Sequence, residues 1–260
     1  FGEIPVIVFS PDDLQIIKGA PQFRRDFIDL YLAQIEPNYR YIYYNYLKVL
    51  QQRNRFLKER YPDRDELEAW NTQLVEKGIK IISFRASLIE KIKPYIEQTH
   101  YEVSGKNERL GLEYLTINGP VGRKTEQQLA EEFLRELKSL RPLELERKIT
   151  LVGPQRDDLR LTLDTEIELR TFGSQGQQRT AALALKLGLI TLITEMRGKA
   201  PLLLLDDVMS EFDGDRKRFL LKMLFSATQT FLTSTSRDDF PVEKLETNFF
   251  QVEGGEVSLC

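Results

Sequence analysis

The sequence predicts an α/β domain built on a parallel sheet and interrupted by a mostly helical insertion. Three observations carry that expectation. Residues 202–205 (Leu-Leu-Leu-Leu) form a short, wholly apolar run of the kind that suits a strand buried on both faces, and Asp206 and Asp207 follow it directly. Residues 172–179 (Phe-Gly-Ser-Gln-Gly-Gln-Gln-Arg) end a polar, glycine-containing turn and open a helix over 180–192 that is rich in Ala and Leu. Between these stretches and a first strand-like run at 4–9 lie two long seams of apolar residues at alternating spacings of three and four, the pattern of paired helices.

The 260 residues can bury a sizeable core and leave room for two domains. A charged fraction of 30% against 41% hydrophobic excludes a disordered chain. No apolar run approaches the length of a bilayer span, so no membrane partner is expected. The single cysteine, Cys260, cannot form an internal disulfide, which fits the reducing cytoplasm. A net charge of −3 excludes a chain that coats nucleic acid with its whole surface, so DNA contact requires a local patch. Residues 18–60 offer one: nine Lys or Arg stand against four acids, a local excess of 9 − 4 = +5. A solvated helix face is the competing reading of the same charges.

Taken in order, residues 4–9 read as a strand and 10–13 (Ser-Pro-Asp-Asp) as a turn and helix start capped by Ser10 or Asp12. A helix over 22–34 places Phe23, Phe27, Leu30 and Tyr31 on one face. A longer one over 38–60 carries Tyr39, Ile42, Tyr46, Val49, Arg53 and Phe56 as a heptad seam with one charged intruder, Arg53. A buried arginine there needs an acidic partner, whereas an exposed one could touch phosphate. Pro62 and Asp63 reverse the chain, and a second seam over 65–98 (Leu67, Trp70, Leu74, Lys77, Ile81, Phe84, Leu88, Lys91, Tyr95) completes an antiparallel αα-hairpin. Packing explains the tyrosines of residues 39–46 better than base stacking does. Residues 101–118 read as a β-hairpin turning at 104–107, beside His100, a lone histidine expected to be structural. A helix over 126–140 follows, and strands at 149–152 and 159–163 resume the sheet around the loop 153–158. In that loop Arg156 either pairs with Asp157 or Asp158 or meets a nucleotide or domain edge. The last elements are a helix over 214–225 and a strand over 231–236.

Ligands of open α/β sheets bind outside the carboxyl ends of the strands, so Asp206 and Asp207 could hold a metal ion and polarise a water. The helix entered at residues 172–179 presents free N–H groups and a positive dipole end, which suits phosphate.

In this order, roughly thirty residues apart, the two stretches resemble the signature motif, Walker B motif and D-loop of the ABC-type ATPases. Within the chromosome-maintenance branch of those proteins the chain is similar to the RecF family of bacterial recombination mediators. The resemblance rests on residues 8–14 (Val-Phe-Ser-Pro-Asp-Asp-Leu), 19–29 with Pro21, Arg24 and Arg25, 52–54 (Gln-Arg-Asn), 153–159 (Gly-Pro-Gln-Arg-Asp-Asp-Leu) and 174–185, and it covers nearly the whole chain. It implies a partial ABC-type (P-loop NTPase) ATPase domain over 1–18 and 150–260, with a helical arm domain over 19–149. No Walker A pattern, Gly-x-x-x-x-Gly-Lys-[Ser/Thr], occurs. Residues 119–125 (Gly-Pro-Val-Gly-Arg-Lys-Thr) have the wrong spacing, so a C-terminal portion of a longer protein is expected.

The same resemblance assigns roles. Asp206 would hold Mg²⁺, and Asp207 would orient the attacking water. Ser174, Gln175, Gly176 and Gln177 would contact the γ-phosphate of ATP bound to the opposite subunit, and Ser210 and Asp213 would form the D-loop, Asp213 serving alternatively as a helix cap. Thr235 stands nearest the place of the usual switch histidine; a hydroxyl there, with the short Asp207, implies slow hydrolysis. Arg24, Arg25, Arg53, Arg55 and Arg60 are candidate DNA contacts. The implied partners are a second copy paired through ATP, double-stranded DNA at gaps or junctions, and RecR, with help in loading RecA. The rival readings are another short-armed SMC-like ATPase and a partner-docking module without ATPase activity.

Overall fold

The computed structural model describes residues 4–59, 63–164, 167–211, 214–224, 229–236 and 248–260. Its parallel sheet consists of β1 (Val6–Phe9), β6 (Leu202–Asp206) and β7 (Gln229–Thr233), in the order β1-β6-β7. The register aligns Val8 with Leu204 and Leu204 with Phe231. The apolar run at 202–205 is therefore the middle strand of this sheet, as its composition predicts. The last strand ends at Thr233, three residues before the expected limit, and the helix before it is α9 (Gly214–Leu224).

One face of the sheet buries Ile7, Phe9, Leu203 and Leu205. The long helix α8 (Gln175–Arg197) packs against β1 and closes with Gly198 in the left-handed conformation at its C-cap. Lys186, in the middle of α8, fastens the helix to the sheet. Its ammonium donates to the Val8 carbonyl at 2.7 Å and pairs with Asp13 at 2.8 Å, over the rings of Phe27 and Tyr31. The turn that supplies Asp13 is a single 3-10 turn, Pro11–Asp13, with Ser10 at its N-cap, and it leads into α1 (Leu14–Lys18).

The helices α2 (Pro21–Ile35) and α3 (Tyr39–Phe56) match their expected spans closely. The next, α4 (Arg64–Val103), is 40 residues long, capped by the Asp63 carboxylate and containing Pro94. It packs against α3, as the αα-hairpin requires, and also against α8. Leu67, Leu74, Ile81 and Leu88 of the expected seam are buried, but so is an adjacent row, Val75, Ile82, Ile89 and Ile96. A helix with two buried rows is a central element rather than one partner of a coiled coil. At its crossing with α8, Gly188 admits the Ile96 backbone: a Cβ there would lie 2.6 Å from Ile96 Cγ1 and 3.2 Å from its amide nitrogen.

The second sheet departs from expectation. It comprises β2 (Leu110–Thr116), β3 (Gly119–Pro120), β4 (Asp158–Leu163) and β5 (Ile167–Glu168), in the order β3-β2-β4-β5 with every pair antiparallel. No hairpin spans residues 101–118. Residues 101–103 complete α4, and the positive φ of Gly105 and Lys106 reverses the chain into β2. The expected strand at 149–152 is irregular chain after α5 (Glu126–Ser139) and α6 (Arg141–Arg147), and β4 pairs with β2 rather than joining the parallel sheet. The expected boundary at 149/150 therefore runs between two paired strands, and one contiguous core joins β1, the arm helices, the second sheet and α8. After β5, the short α7 (Leu169–Phe172) leads into α8, and a terminal hairpin of β8 (Phe250–Glu253) and β9 (Glu256–Leu259) ends the described chain. Among the described residues no helix is long and apolar enough to cross a membrane.

Candidate functional site

At the carboxyl end of β6 the backbone turns sharply. Asp206 is the last strand residue and is exposed, and Asp207 takes the left-handed conformation with φ 48°. A non-glycine residue holds that conformation only where its surroundings fix it. Here Thr233, paired with Asp206 in the register, does so from β7. Its hydroxyl donates to Asp206 Oδ1 at 2.8 Å and accepts the Asp207 N–H at 3.1 Å. The hydroxyl beside the two carboxylates is therefore that of Thr233. Thr235, the expected candidate, lies exposed two positions beyond the strand. The misplaced frame of β7 hid Thr233; reading 229–233 as the strand would have paired it with Asp206.

Among the described residues no three His, Cys, Asp or Glu side chains gather in a way that could hold a metal by themselves. A cation at the exposed Asp206 would take its remaining ligands from water and phosphate oxygens, which is the way Mg²⁺ is ordinarily held. The residues present fit that ion.

The polar turn before α8 is built as a cap. Ser174 is the N-cap: its hydroxyl accepts the Gln177 N–H at 3.2 Å, and its own N–H donates to Gln177 Oε1 at 2.7 Å. Gln177 also reaches the second sheet's approach, donating to Glu108 at 2.8 Å. Ser174 and Gln175 are exposed, and Gly176 is half-buried. A Cβ on Gly176 would meet only the end of Arg216, at 3.8 Å. The chain's own packing does not require glycine there. Arg216 of α9 donates to Thr180 at 2.8 Å, and Thr180 to the Gly176 carbonyl at 2.9 Å, so α9 braces the first turn of α8. Arg179 and Ala182 of α8 line one small cleft with Phe9 and Ser10 at the end of β1 and with Val208, next to Asp207. The helix start and the strand ends thus belong to one rim. Ser210 lies in the 3-10 turn Val208–Glu211, while Asp213 lies outside the described residues.

The five candidate DNA-contacting arginines separate. Arg53 is fully buried and is withdrawn from that set. Its guanidinium donates to Glu144 at 2.6 Å, Asn71 at 2.9 Å and Thr150 at 2.8 Å, and Glu144 also accepts the Leu151 N–H. Such a pair is sustained only when both ions are hydrogen-bonded throughout, as here. Arg24 is withdrawn for the same reason: it is buried, forks onto both Asp158 oxygens at 2.6 and 2.9 Å and donates to the Gly19 carbonyl. Arg25 is half-buried and donates to the Asp157 carbonyl. Of the five only Arg55 is exposed on a helix, and Arg60 lies outside the described residues.

Arg24 serves the loop 153–158, a polar centre of the molecule, while Arg53 holds the chain just before it at Thr150. Gly153 has φ 120°, and a Cβ there would lie 2.7 Å from Tyr46 Oη and 2.8 Å from Phe133. Tyr46 bonds Gln155, Arg85 donates to the Pro154 carbonyl at 2.6 Å, and Tyr114 donates to Asp157 at 2.6 Å. Asp157 and Asp158 are taken by Tyr114 and Arg24, so the expected pair with Arg156 does not form; Arg156 instead donates to the Thr150 carbonyl. Arg85, with its nitrogens Nε and Nη2 on Asp29, was missed by the sequence reading because it lies outside the expected seam, on the face of α4 between that seam and the second buried row. His100 is buried, its Nδ1 3.3 Å from the Glu108 carbonyl, and burial lowers its pKa; its role is structural.

A parallel sheet ending in paired carboxylates, a capped helix start on the same rim, an antiparallel second sheet and an inserted αα-hairpin define an ABC-type ATPase domain with a helical arm. No family-wide sequence profile matches the chain. Individual relatives do: the DNA replication and repair protein RecF of Natranaerobius thermophilus is 40% identical over 263 residues, covering 96% of this chain and 68% of that protein. The protein of the same name from Halothermothrix orenii is 39% identical, covering 99% and 70%. A solved structure of the recombination mediator RecF with ATP, from the RecFOR pathway, superposes with a TM-score of 0.88 at 34% identity, covering all of this chain and 68% of that one. The chain belongs to the RecF family.

Proposed function

We propose that the intact protein is an ATP-dependent, DNA-binding recombination mediator: it binds ATP with Mg²⁺, pairs with a second copy through shared nucleotide sites, hydrolyses slowly, and acts on double-stranded DNA at gaps or junctions. With RecR it would help load RecA, and its place is the cytoplasm. The names of the relatives and the ATP complexes of their structures support this reading. The observation that carries it is the Asp206–Asp207–Thr233 cluster on the same rim as the capped start of α8.

In this reading Asp206 is the metal-facing carboxylate, and Thr233 holds it in place. Asp207, turned off the strand by its left-handed backbone, accepts the proton side of the attacking water. Bound Mg²⁺ would supply charge neutralisation at the phosphates. The side chain of aspartate is one methylene shorter than glutamate's, which sets the base farther back and fits slow turnover. Between the capping pair Ser174 and Gln177, residues Gln175 and Gly176 present their N–H groups and a bare glycine to the outside of the molecule, so the phosphate this turn serves is carried by another copy. Nucleotide then acts as the adhesive between subunits.

Sedimentation of the intact protein with and without ATP and Mg²⁺, on wild type and Asp207→Asn, tests this. The expected result is a nucleotide-dependent monomer-to-dimer shift in both, with phosphate release lost in the variant. A wild type that stays monomeric in every condition would favour the docking-module reading instead.

A further inference from the structure

The buried face of α3 (Tyr39, Tyr46, Val49, Arg53, Phe56) fixes what its opposite face presents. At 100° per residue, Arg40, Tyr41, Tyr44, Leu47, Lys48, Gln51 and Arg55 fall in one stripe about 120° wide, directly across the helix from the buried row. All are exposed; Tyr41 at 72% and Tyr44 at 57% are bare for aromatic side chains. Lys58, one turn beyond, is exposed as well. From Pro37 to Lys58 the sequence contains no acid, in a protein whose net charge is −3. Solvated helices of this same chain look different. The outer face of α5 mixes Glu131 with Arg135 and Lys138, and that of α4 mixes Glu76 and Glu90 with Lys80 and Lys91. The Lys48 ammonium lies over the Tyr44 ring, 4.4 Å from its centroid, so one aromatic already serves a cation in the stripe.

We propose that the outer face of α3, with Arg40, Lys48, Arg55 and Lys58 as its charges, is the surface on which this protein binds the phosphate backbone of duplex DNA. The inference rests on the DNA-binding reading above and locates it. A straight row of cations from Arg40 to Arg55 spans about 22 Å along the helix axis, enough to follow about six base pairs of backbone. Long, flexible Lys and Arg side chains suit phosphates that carry no sequence information, and the amides of Gln51 and Gln52 add neutral donors beside them. The stripe is held rigidly, because Arg53 on the inner side of the same turns and Asn54 on their flank are locked to Glu144 and Thr150. Charge complementarity with a continuous polyanion favours DNA over a folded acidic protein, whose carboxylates come interspersed with cations.

The test uses the intact protein and a labelled 30-base-pair duplex, titrated at several salt concentrations with ATP present. The stripe variant carries Arg40→Gln, Lys48→Gln, Arg55→Gln and Lys58→Gln. A control removes equal charge elsewhere, through Lys80→Gln, Lys91→Gln, Arg135→Gln and Lys138→Gln. The proposal expects affinity to fall at least about tenfold in the stripe variant and the slope of log affinity against log salt to shrink by about 3 to 4, the release expected for four phosphate contacts. The control should stay within about twofold, and ATP-dependent sedimentation should be unchanged in both. A stripe variant that binds duplex like wild type overturns the location while leaving DNA binding itself intact. Loss confined to single strands, or to co-sedimentation with RecR, overturns it in favour of base stacking or a protein partner. A wild type that binds no DNA removes the functional reading and the surface together.

Discussion

Asp157 shows how one residue sets a property of the whole fold. Its carboxyl is buried, and desolvation pushes its pKa up to about 7 against the opposing pull of the Tyr114 hydroxyl and the Arg85 guanidinium. An unfolded chain releases that proton near pH 4. Between about pH 4 and pH 7 the folded protein therefore holds a proton that the unfolded one has lost. Stability contributed by this group is present at the acid end of that window and falls as pH rises through it, by at most about 1.4 kcal/mol per pH unit. Asp157→Asn removes the titration, so the variant should gain on wild type as pH rises from 4.5 to 7.5 and then run parallel to it. Urea unfolding midpoints across that range measure the difference; parallel curves throughout would mean that Asp157 is ionised in the fold. Single residues were unevenly legible. Asp206 and Asp207 could be found because an apolar strand ends in them, and Arg53 announced itself as an ion in an apolar seam. Its partner could not be found, since Glu144 lies 91 residues away and nothing local marks it. Thr233 was hidden by a strand frame two residues out of place, and the apolar content of residues 231–232 gives no signal to correct it.

Elements defined by period and caps were the legible ones. α2, α3 and α5 fall within about four residues of the spans their spacing predicts, because each carries a clear apolar face or a capping box, as Thr125 provides; α8 was found but starts and ends five residues beyond the expected 180–192, its capping box at Ser174 lying inside the stretch read as a turn. Of the second sheet only the strand at 159–163 was legible, as β4. Two of its strands, β3 and β5, are only two residues long, and β2 finds β4 across two intervening helices, so its pairing is a tertiary fact that no local pattern encodes. The tight crossing of α4 and α8 was equally silent, since Gly188 reads in sequence only as a weak point in a helix. In the structure its missing side chain is the contact. Gly188→Ala gains intrinsic helix propensity of up to about 1 kcal/mol but forces a methyl against Ile96, whose backbone cannot step aside. Overpacking of this kind costs about 1 to 3 kcal/mol, so the net expectation is a loss of roughly 1 to 2 kcal/mol. Chemical denaturation of Gly188→Ala checks this; a stabilised variant would show that the crossing is loose.

At the scale of the whole molecule, the main core runs unbroken from the sheet into the arm, and a small second cluster of Phe56, Leu57 and Leu67 closes the arm's far end. The expected seam at residue 150 does not interrupt packing, and the polar loop 153–158 ties α2, α3, α4 and β2 to one point. A signal that closes two copies on nucleotide would therefore carry the arms with it, including the outer face of α3. Whether the start of α8 meets the other copy is decided by Ser174. Its side chain is exposed and makes only the one capping bond, accepting the Gln177 N–H, so an arginine there finds room in the monomer. Losing the cap costs about 0.5 to 2 kcal/mol, too little to unfold a core of this extent, and Ser174→Ala measures that cost alone. Ser174→Arg adds bulk at the helix start, where a phosphate from another subunit would have to come within reach of the backbone N–H groups. With ATP and Mg²⁺ present, Ser174→Ala should still dimerise, more weakly than wild type. Ser174→Arg should bind nucleotide with unchanged affinity and sediment as a monomer at every concentration. If Ser174→Arg instead dimerises like wild type, the capped turn faces solvent in the dimer, and the shared-site arrangement must be sought on another face.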